Sequence, residues 1–503
     1  MTIAIAYSRA LLGIRAPEVA VETHLSNGLP AFNLVGLPET SVRESKERVR
    51  SAILNSGFEF PNRRITVNLA PADLPKEGTR YDAAIALSIL SASAQLPAPA
   101  LAELEIVAEL ALAGGLRGVR GAMPAALAAR HAGRQLVVAP ENAAEAALVD
   151  GLEVYGADSL HALADHLTGL RRLAPSLQQP ATGDGEPFGP DLADVHGQHF
   201  VKRALEVAAA GGHNLLMCGP PGTGKTMLAA RLPGLLPPLD DAEAFEVATV
   251  CSVTGQPRPP GDWRRRPFRA PHHTSSAASL VGGGNLPRPG EVSLAHHGVL
   301  FLDELPEFGR RALEVLREPL ECGTVTIARA AATLSYPARF QLVATMNPCP
   351  CGYAGDALTN CTCSAEQVRQ YRARLSGPLL DRIDLQAEVP RERDWLRPRG
   401  QRPAESSATV RARVGAARAV QWRRQGKPNA RLSVGELQLH APLDERAQAF
   451  LAEAFDHFRL SARSYHRVIK VARSIADLAG RADVAQGDLA EALTLRRMER
   501  ARA

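Results

Sequence analysis

Residues 219–226 read Gly-Pro-Pro-Gly-Thr-Gly-Lys-Thr. They follow the apolar run Leu215-Leu216-Met217 and precede Met227-Leu228-Ala229-Ala230. A strand, a glycine-rich loop and a helix are therefore expected in that order, which is the context a phosphate-binding P-loop requires. Glycines let successive backbone N–H groups close around a triphosphate at the positive end of the following helix. On this reading Gly219, Pro220, Pro221, Gly222, Thr223 and Gly224 form the cradle, Lys225 reaches the β- and γ-phosphates, and the Thr226 hydroxyl completes a Mg²⁺ shell. Further along, Val299-Leu300-Phe301-Leu302 reads as a buried strand that ends in Asp303-Glu304. Asp303 is expected to hold Mg²⁺ through water, and Glu304 to orient and deprotonate the attacking water. The two segments together predict ATP hydrolysis.

The chain has 503 residues, enough for two to four domains that each bury a core. Its 45% hydrophobic and 22% charged content are ordinary for a globular protein. No run of eighteen uncharged apolar residues occurs, so no membrane span is expected. The first residues, Met1-Thr2-Ile3-Ala4-Ile5-Ala6-Tyr7-Ser8, lack the basic segment and cleavage site of a signal peptide and read as a first strand. A cytoplasmic location is expected. The net charge of +5 permits a polyanionic partner without demanding one.

Of the seven cysteines, Cys218, Cys251 and Cys322 stand beside apolar segments and are expected to be inert core thiols. Cys349, Cys351, Cys361 and Cys363 form two close pairs, C-x-C-x9-C-x-C. Four thiolates so placed suit a tetrahedral structural Zn²⁺ site and leave no open position for catalytic zinc. Disulfides are disfavoured in a reducing cytoplasm. The C-x-C pairs are tighter than the commoner C-x-x-C knuckle, which keeps free or redox-labile thiols as the alternative.

Residues 1–168 alternate strand-like segments (3–6, 19–24, 32–35, 64–68, 135–138) with helical ones (40–56, 81–93). A polar Pro/Gly-bearing linker is expected within 169–190. An ATPase core is expected at 191–390, followed by a polar stretch and a helical part at 391–503 with amphipathic segments at 408–424, 444–458, 462–479 and 486–497. Two insertions stand out in the core. The first carries Trp263-Arg264-Arg265-Arg266-Pro267-Phe268-Arg269-Ala270-Pro271-His272-His273-Thr274 and then Leu280-Val281-Gly282-Gly283-Gly284-Asn285. The second reads as a hairpin, Thr324-Val325-Thr326-Ile327-Ala328-Arg329 outward and 332–338 back. Arg264, Arg265, Arg266, Arg269 and Arg329, with aromatics between them, suit contact with a phosphate backbone without sequence readout. Subunit contacts are the alternative role for Arg264–Arg266 and Arg269. His272, His273, His296 and His297 match no metal-ligand spacing, and the last two are expected in a packed helix before the Asp303 strand.

The runs Phe268-Arg269-Ala270-Pro271-His272-His273-Thr274, Pro289-Gly290-Glu291-Val292-Ser293-Leu294-Ala295-His296, Asn347-Pro348-Cys349-Pro350-Cys351-Gly352-Tyr353 and Ser376-Gly377-Pro378-Leu379-Leu380-Asp381-Arg382 resemble the ComM/YifB family of magnesium-chelatase-like AAA+ ATPases. The resemblance covers essentially the whole chain. It implies an α/β fold: an AAA+ core with a parallel sheet, an N-terminal domain like the proteolytic domain of Lon, and a C-terminal helical lid. It also implies a hexameric ATP-driven DNA motor for branch migration or unwinding of single-stranded or branched DNA in recombination and natural transformation. A chelatase-type motor acting on a protein partner in metal insertion, or a protein-remodelling or proteolytic factor, are the alternatives.

By the same resemblance Asn347 is the sensor-1 residue beside the γ-phosphate. Arg382 is an arginine finger working in trans, with a surface salt bridge as its plainer reading. Arg463, after the cap-like Ser461, is the sensor-2 arginine, with Arg467 second. The two insertions face the central channel of a ring. In the N-terminal domain, Leu74-Pro75-Lys76-Glu77-Gly78-Thr79-Arg80-Tyr81-Asp82 resembles the turn that carries Lon's nucleophile, but Arg80 falls at the serine position and no serine/lysine dyad is evident. Thr79 beside Lys76 is the one substitute nucleophile. A docking or DNA-guiding collar is the favoured role, with Arg63, Arg64, Lys76 and Arg80 as contact candidates.

Overall fold

The computed structural model describes residues 3–177, 189–284, 287–329, 333–391, 404–458 and 461–496. Most of the expected linker (178–188) and of the polar stretch after the core (392–403), with Asn285, Ala332, Leu460 and Arg497, lie outside the described residues. The chain forms two compact units, Met1–Asp184 with Asp241–Arg264, and Gly185–Asp240 with Arg265–Ala503.

The first unit is built on a seven-stranded mixed sheet. Strand Ile3–Arg9 pairs antiparallel with Glu18–Ser26, which pairs antiparallel with Arg64–Ala70. Ala31–Val35 adds to that edge in parallel, and Leu104–Val107, Gln135–Val138 and Val154–Gly156 continue the other side in parallel. Alternation sets the faces. Ala4 and Ala6 are buried while Ile3 and Ile5 are exposed, and Val19, Val21, Thr23 and Leu25 are buried on the neighbouring strand. The helix Asp82–Ala92, buried along its whole length, packs on the inner face. Its alanines and serines let the backbone approach closely, and Ser88 meets Thr23 at 2.6 Å so that neither buried hydroxyl is stranded. The expected helix over 40–56 is split into Thr40–Arg43 and Ser45–Asn55.

The turn that resembles Lon's catalytic turn is closed. Lys76 is fully buried and donates to the Pro71 carbonyl, and the buried Arg80 donates to the Arg120 carbonyl. The Thr79 hydroxyl donates to Glu109. Lys76 and Arg80 therefore cannot serve as DNA contacts, because their charges are enclosed and directed at backbone oxygens. Arg63 and Arg64 remain exposed.

The helix Asp241–Thr254 lies in the P-loop half of the sequence but packs in this first unit. Ser252 anchors it: its carbonyl accepts from Gly121 N at 3.0 Å and its hydroxyl from Met123 N at 3.1 Å.

The second unit holds a five-stranded parallel sheet in the order Phe268–Arg269, Val299–Leu302, Gln341–Met346, Leu215–Cys218, Leu385–Glu388. Its three central strands are buried at every position, as expected for a parallel sheet covered on both faces. The helix His199–Gly211 and the C-terminal helices Ser407–Gln425 and Ala462–Leu478 share one core with it, in which Val201, Leu205, Met217, Val343, Leu385, Val414, Val468 and Ile475 are buried together. A charged anchor sits in the same region. Burial opposes ionisation of Asp384, but Arg467 and His213 outweigh it and hold the carboxyl well below the usual carboxylate range. The C-terminal part also contains a helix that hydrophobic periodicity did not reveal, Val434–His440, closed by a Ser433/Glu436 capping box. Cys218 is buried as expected and Cys251 half-buried. Cys322 is exposed, contrary to expectation, because it ends the helix Arg317–Cys322 just before the capping Gly323. Among the described residues no helix is long and apolar enough to cross a membrane.

Glu145 provides a test of the first unit. Burial pushes its carboxyl up to about 7, partly relieved by the Ser252 hydroxyl. A carboxyl raised in the folded state costs nothing below its unfolded value and progressively more stability as pH rises toward 7. Glu145→Gln is expected to stabilise this unit at pH 8 by on the order of 2 kcal/mol, with the gain gone by about pH 4. Thermal unfolding at the two pH values measures this, and an equal shift at both would contradict it.

Candidate nucleotide site

Strand register assembles the site. Leu302 lies opposite Ala344, so the next residues, Asp303 and Thr345, meet at the strand ends. Cys218 lies opposite Met346, and Gly219 N donates to the Met346 carbonyl at 3.2 Å, which brings Asn347 beside the start of the P-loop. Ligand chemistry in parallel sheets gathers at these carboxyl ends.

The P-loop runs from the strand Leu215–Cys218 to the helix Lys225–Ala229. Gly224 precedes that helix with φ +82°, a left-handed conformation that favours glycine. Lys225 is buried, which lowers its pKa. Its ammonium donates to Gly219 O at 2.7 Å, Pro220 O at 2.9 Å and Asn347 Oδ1 at 3.2 Å, satisfying all three donors with neutral oxygens. The Thr226 hydroxyl donates to Asp303 Oδ2 at 2.8 Å. The Thr345 hydroxyl donates to Asp303 Oδ1 and accepts from Glu304 N at 3.1 Å. Glu304 N also bonds Asp303 Oδ1 at 3.1 Å. These bonds hold Glu304 at φ +53°, a sparsely populated conformation for a residue with a side chain. The Glu304 carboxylate is half-exposed, with His273 Nδ1 3.9 Å away. A hydroxyl and a carboxylate in direct contact form a hard oxygen donor set of the kind Mg²⁺ takes beside a nucleotide. Lys225, Thr226, Asp303, Glu304 and Asn347 thus form one cluster.

Arg382 and Arg463 lie in another. Arg382 pairs with Glu321 and donates to Pro378 O at 2.6 Å. With Asp381, Arg463, His466, Arg467 and Lys470 these residues line a cavity of about 320 Å³. Ser461 caps the helix Ala462–Leu478 by accepting from Ser464 N at 3.2 Å. The i, i+4 spacing then puts Arg463 and Arg467 on one face. Arg463 is exposed, whereas Arg467 is held by Asp384. Among the described residues no hydrogen bond or ion pair joins this cluster to Lys225, Thr226, Asp303 or Glu304.

The basic insert is more structural than its sequence suggests. Arg264 pairs with Asp241 at 2.9 Å, Arg266 donates to Pro237 O at 2.6 Å and His297 O at 2.8 Å, and Arg269 grips Glu291 with two bonds of 2.7 and 2.9 Å. Trp263 is buried edge-on against Phe245, and Phe268 stacks on Phe301. The aromatics between these arginines are therefore packing residues rather than a stacking platform. Arg265 is exposed. The second insertion is a hairpin, Thr324–Ala328 antiparallel to Thr333–Pro337, with Arg329 exposed at its outer end. His296 is buried in the turn after the helix Glu291–Leu294, not within a helix, and its Nδ1 accepts from Arg339 N at 2.9 Å.

The four cysteines converge, every sulfur within 4.8 Å of the others. Cys349 lies 3.3 Å from Cys351 and 3.6 Å from Cys361, and Cys351 lies 3.5 Å from Cys361, sulfur to sulfur. Zn–S bonds of about 2.3 Å give a tetrahedral edge of about 3.8 Å, so this donor set fits one tetrahedral ion. Backbone amides of Cys351, Ala354 and Cys363 point at sulfurs, at 3.2–3.4 Å, which favours thiolates.

Thr345, Glu321 and Lys470 were not among the residues singled out from the sequence. Thr345 becomes visible only once Gln341–Met346 is known to lie beside the Asp303 strand.

Family models for the magnesium chelatase subunit ChlI match residues 191–395 and, under a second description, residues 21–142. A model of the C-terminal part of that subunit matches 404–496. Competence protein ComM of Haemophilus influenzae is 51% identical over 99% of this chain and 98% of its own. Uncharacterized protein YifB of Escherichia coli is 49% identical with the same coverage. The magnesium-chelatase 38 kDa subunit of Rhodobacter capsulatus is 28% identical over 45% of this chain and 62% of its own. With this identity along its full length, and a P-loop at the end of a five-stranded parallel sheet, the chain belongs to the ComM/YifB family of magnesium-chelatase-like AAA+ ATPases.

Proposed function

We propose that this ATPase is a homo-hexameric DNA motor of the cytoplasm that drives branch migration and unwinding of single-stranded or branched DNA in recombination and natural transformation. The observation that carries this reading is the Arg329 hairpin. It presents an exposed guanidinium at one end and leads, at the other, into the strand that ends beside Asn347 and Lys225. Movement at the nucleotide is thereby linked to a group suited to a phosphate backbone. The competence name of a half-identical relative supports the same pathway. Arg265 is a second contact candidate. Arg264, Arg265, Arg266 and Arg269 all have partners within the chain; Arg266 and Arg269, which are partly buried, are assigned to shaping the insert, and the exposed Arg264 is kept beside Arg265 as a contact candidate.

The catalytic division of labour follows from the two clusters. One protomer provides Lys225 to offset charge on the phosphates, Glu304 to take the proton of the attacking water, and Asn347 to position Lys225. Mg²⁺, held by Thr226 and Asp303, neutralises phosphate oxygens when bound. The neighbouring protomer provides Arg382, which exchanges Glu321 for the phosphoryl group, with Arg463 and Arg467 beside it. The domain division is a Lon-like unit at 1–168, a linker at 169–190, an AAA+ core at 191–390 and a lid at 391–503. The four cysteines hold a structural Zn²⁺. The chelatase family match over 191–395 favours one second reading, a motor acting on a protein partner.

Unwinding of three-stranded and four-way junctions, with ATP turnover followed in parallel, separates the two. Strand release that requires ATP and disappears in Lys225→Ala is expected. Turnover indifferent to every DNA would point to the protein partner instead.

Arg382→Ala should leave nucleotide binding intact and lower turnover about a thousandfold or more. Mixing it with Lys225→Ala protein should restore part of the activity, because some interfaces then pair an intact P-loop with an intact finger. Normal hydrolysis by Arg382→Ala alone would refute the assignment in trans.

Thr345→Val removes the two bonds of the Thr345 hydroxyl, to Asp303 Oδ1 and from Glu304 N, while keeping side-chain volume and the Glu304 N–Asp303 Oδ1 bond. Loss of a bond worth about 1–1.5 kcal/mol in the reacting state predicts about a tenfold lower turnover at unchanged nucleotide affinity. Steady-state turnover together with nucleotide titration tests this.

A further inference from the structure

We propose that the four-cysteine knuckle is a metal-dependent brace for the P-loop, so that loading with Zn²⁺ sets the affinity of this ATPase for its nucleotide. The inference rests on the zinc assignment above and goes beyond it by joining two sites. The knuckle begins two residues after Asn347, whose Oδ1 holds the Lys225 ammonium. Its second turn lies directly against the P-loop. Gly352 has φ +88°, and a Cβ built there would stand 2.7 Å from Pro221 Cδ and 3.2 Å from Pro221 Cγ. On its other side the P-loop is equally confined, since a Cβ on Gly219 would lie 2.2 Å from the Val389 carbonyl oxygen. The loop is therefore seated between the end of a sheet strand and the cysteine turn. Displacement of that turn would remove one wall.

Apart from a bound ion, the knuckle is held by side chains from outside it: Arg391 pairs with Asp356 at 3.5 Å and lies over the Tyr353 ring at 5.7 Å, and Arg372 donates to the Pro348 carbonyl at 3.3 Å. Residues 347–364 form neither helix nor strand. Their internal backbone bonds include Gly352 N to Cys349 O at 3.0 Å and Asp356 N to Tyr353 O at 3.1 Å. Ala354, Gly355, Asp356, Ala357 and Leu358 border a cavity of about 500 Å³ that reaches Cys218, Gly219 and Pro220. Gly355, Ala357 and Leu358 are exposed, so this part of the knuckle gains little packing beyond the buried Asp356 carboxylate. One ion bound by four sulfurs closes the segment at both ends and supplies the rigidity that packing does not. Sulfurs as close as 3.3–3.6 Å leave room for one ion, not for an iron–sulfur cluster.

The test measures bound metal by elemental analysis and the affinity for a fluorescent non-hydrolysable ATP analogue by anisotropy, on full-length protein. Wild-type protein should carry one zinc per chain. Cys361→Ser/Cys363→Ser should lose it and bind the analogue about tenfold or more weakly. Gly352→Ala leaves every sulfur in place but forces the turn against Pro221; it should keep zinc and still bind several-fold more weakly. Zinc-free or iron-containing wild-type protein would overturn the metal assignment. Loss of zinc at unchanged affinity, or unchanged affinity in Gly352→Ala, would overturn the brace while leaving the zinc and the motor reading intact. If the double cysteine variant does not fold, Gly352→Ala decides the matter alone.

Discussion

The Asp303 carboxylate is the point on which the ATPase site depends. One oxygen takes the Thr226 hydroxyl, and the other takes the Thr345 hydroxyl and Glu304 N. The P-loop helix, the strand carrying the acidic pair and the strand leading to Asn347 are thereby tied at one side chain. The tie exists because Val299–Leu302 and Gln341–Met346 are parallel neighbours in fixed register. That register is fixed in turn by burial on both faces, since sliding either strand would expose apolar side chains on both sides at once. Catalytic geometry here is a consequence of sheet packing.

The nucleotide cluster was legible in the sequence because its chemistry is local. A cradle of glycines, one lysine and one threonine must be contiguous, and an acidic pair must end a buried strand. The parallel sheet followed from the same pattern. Lys76 and Arg80 looked like surface cations, but a turn packed into the core can enclose a charge if backbone carbonyls receive it, and no local pattern announces that. The basic insert misled for a related reason. Arg266 and Arg269 find partners at Pro237, His297 and Glu291, some 22–31 residues away, and only the folded chain shows those pairings. The Val434–His440 helix escaped detection because a seven-residue helix is too short to show a period, though its Ser433/Glu436 capping box was present in the sequence.

Charge balance distinguishes the Lys225 cluster from the Arg382 cluster. Around Lys225 the hydrogen-bond partners are neutral oxygens, so a phosphate arriving there meets a cation that, among the described residues, makes no ion pair. Around Arg382 the cations are partly neutralised within the chain, by Glu321 at Arg382 and by Asp384 at Arg467. The two carboxylates differ. Asp384 is almost fully buried, so Arg467 is tied to it as a structural anchor; Glu321 is half-exposed and can yield Arg382 to a stronger anion. An exposed ion pair contributes little on its own, whereas a planar guanidinium facing a phosphoryl group in a closed interface gains much more.

That asymmetry also bears on how a chemical step at one end of the sheet can become movement at the other. The Gln341–Met346 strand is buried and in register along its whole length, so it transmits displacement with little loss. At its carboxyl end it leads into Asn347 and the cysteine knuckle; at its amino end it receives the Arg329 hairpin through residues 338–340. His296, buried and bonded to Arg339 N, fixes that junction, and His297 N reinforces it by donating to the Arg339 carbonyl at 2.8 Å. The hairpin is thus hinged on a rigid strand instead of hanging from a flexible loop. On the proposed motor reading, a small shift where the γ-phosphate is released passes along this strand to the base of the Arg329 hairpin.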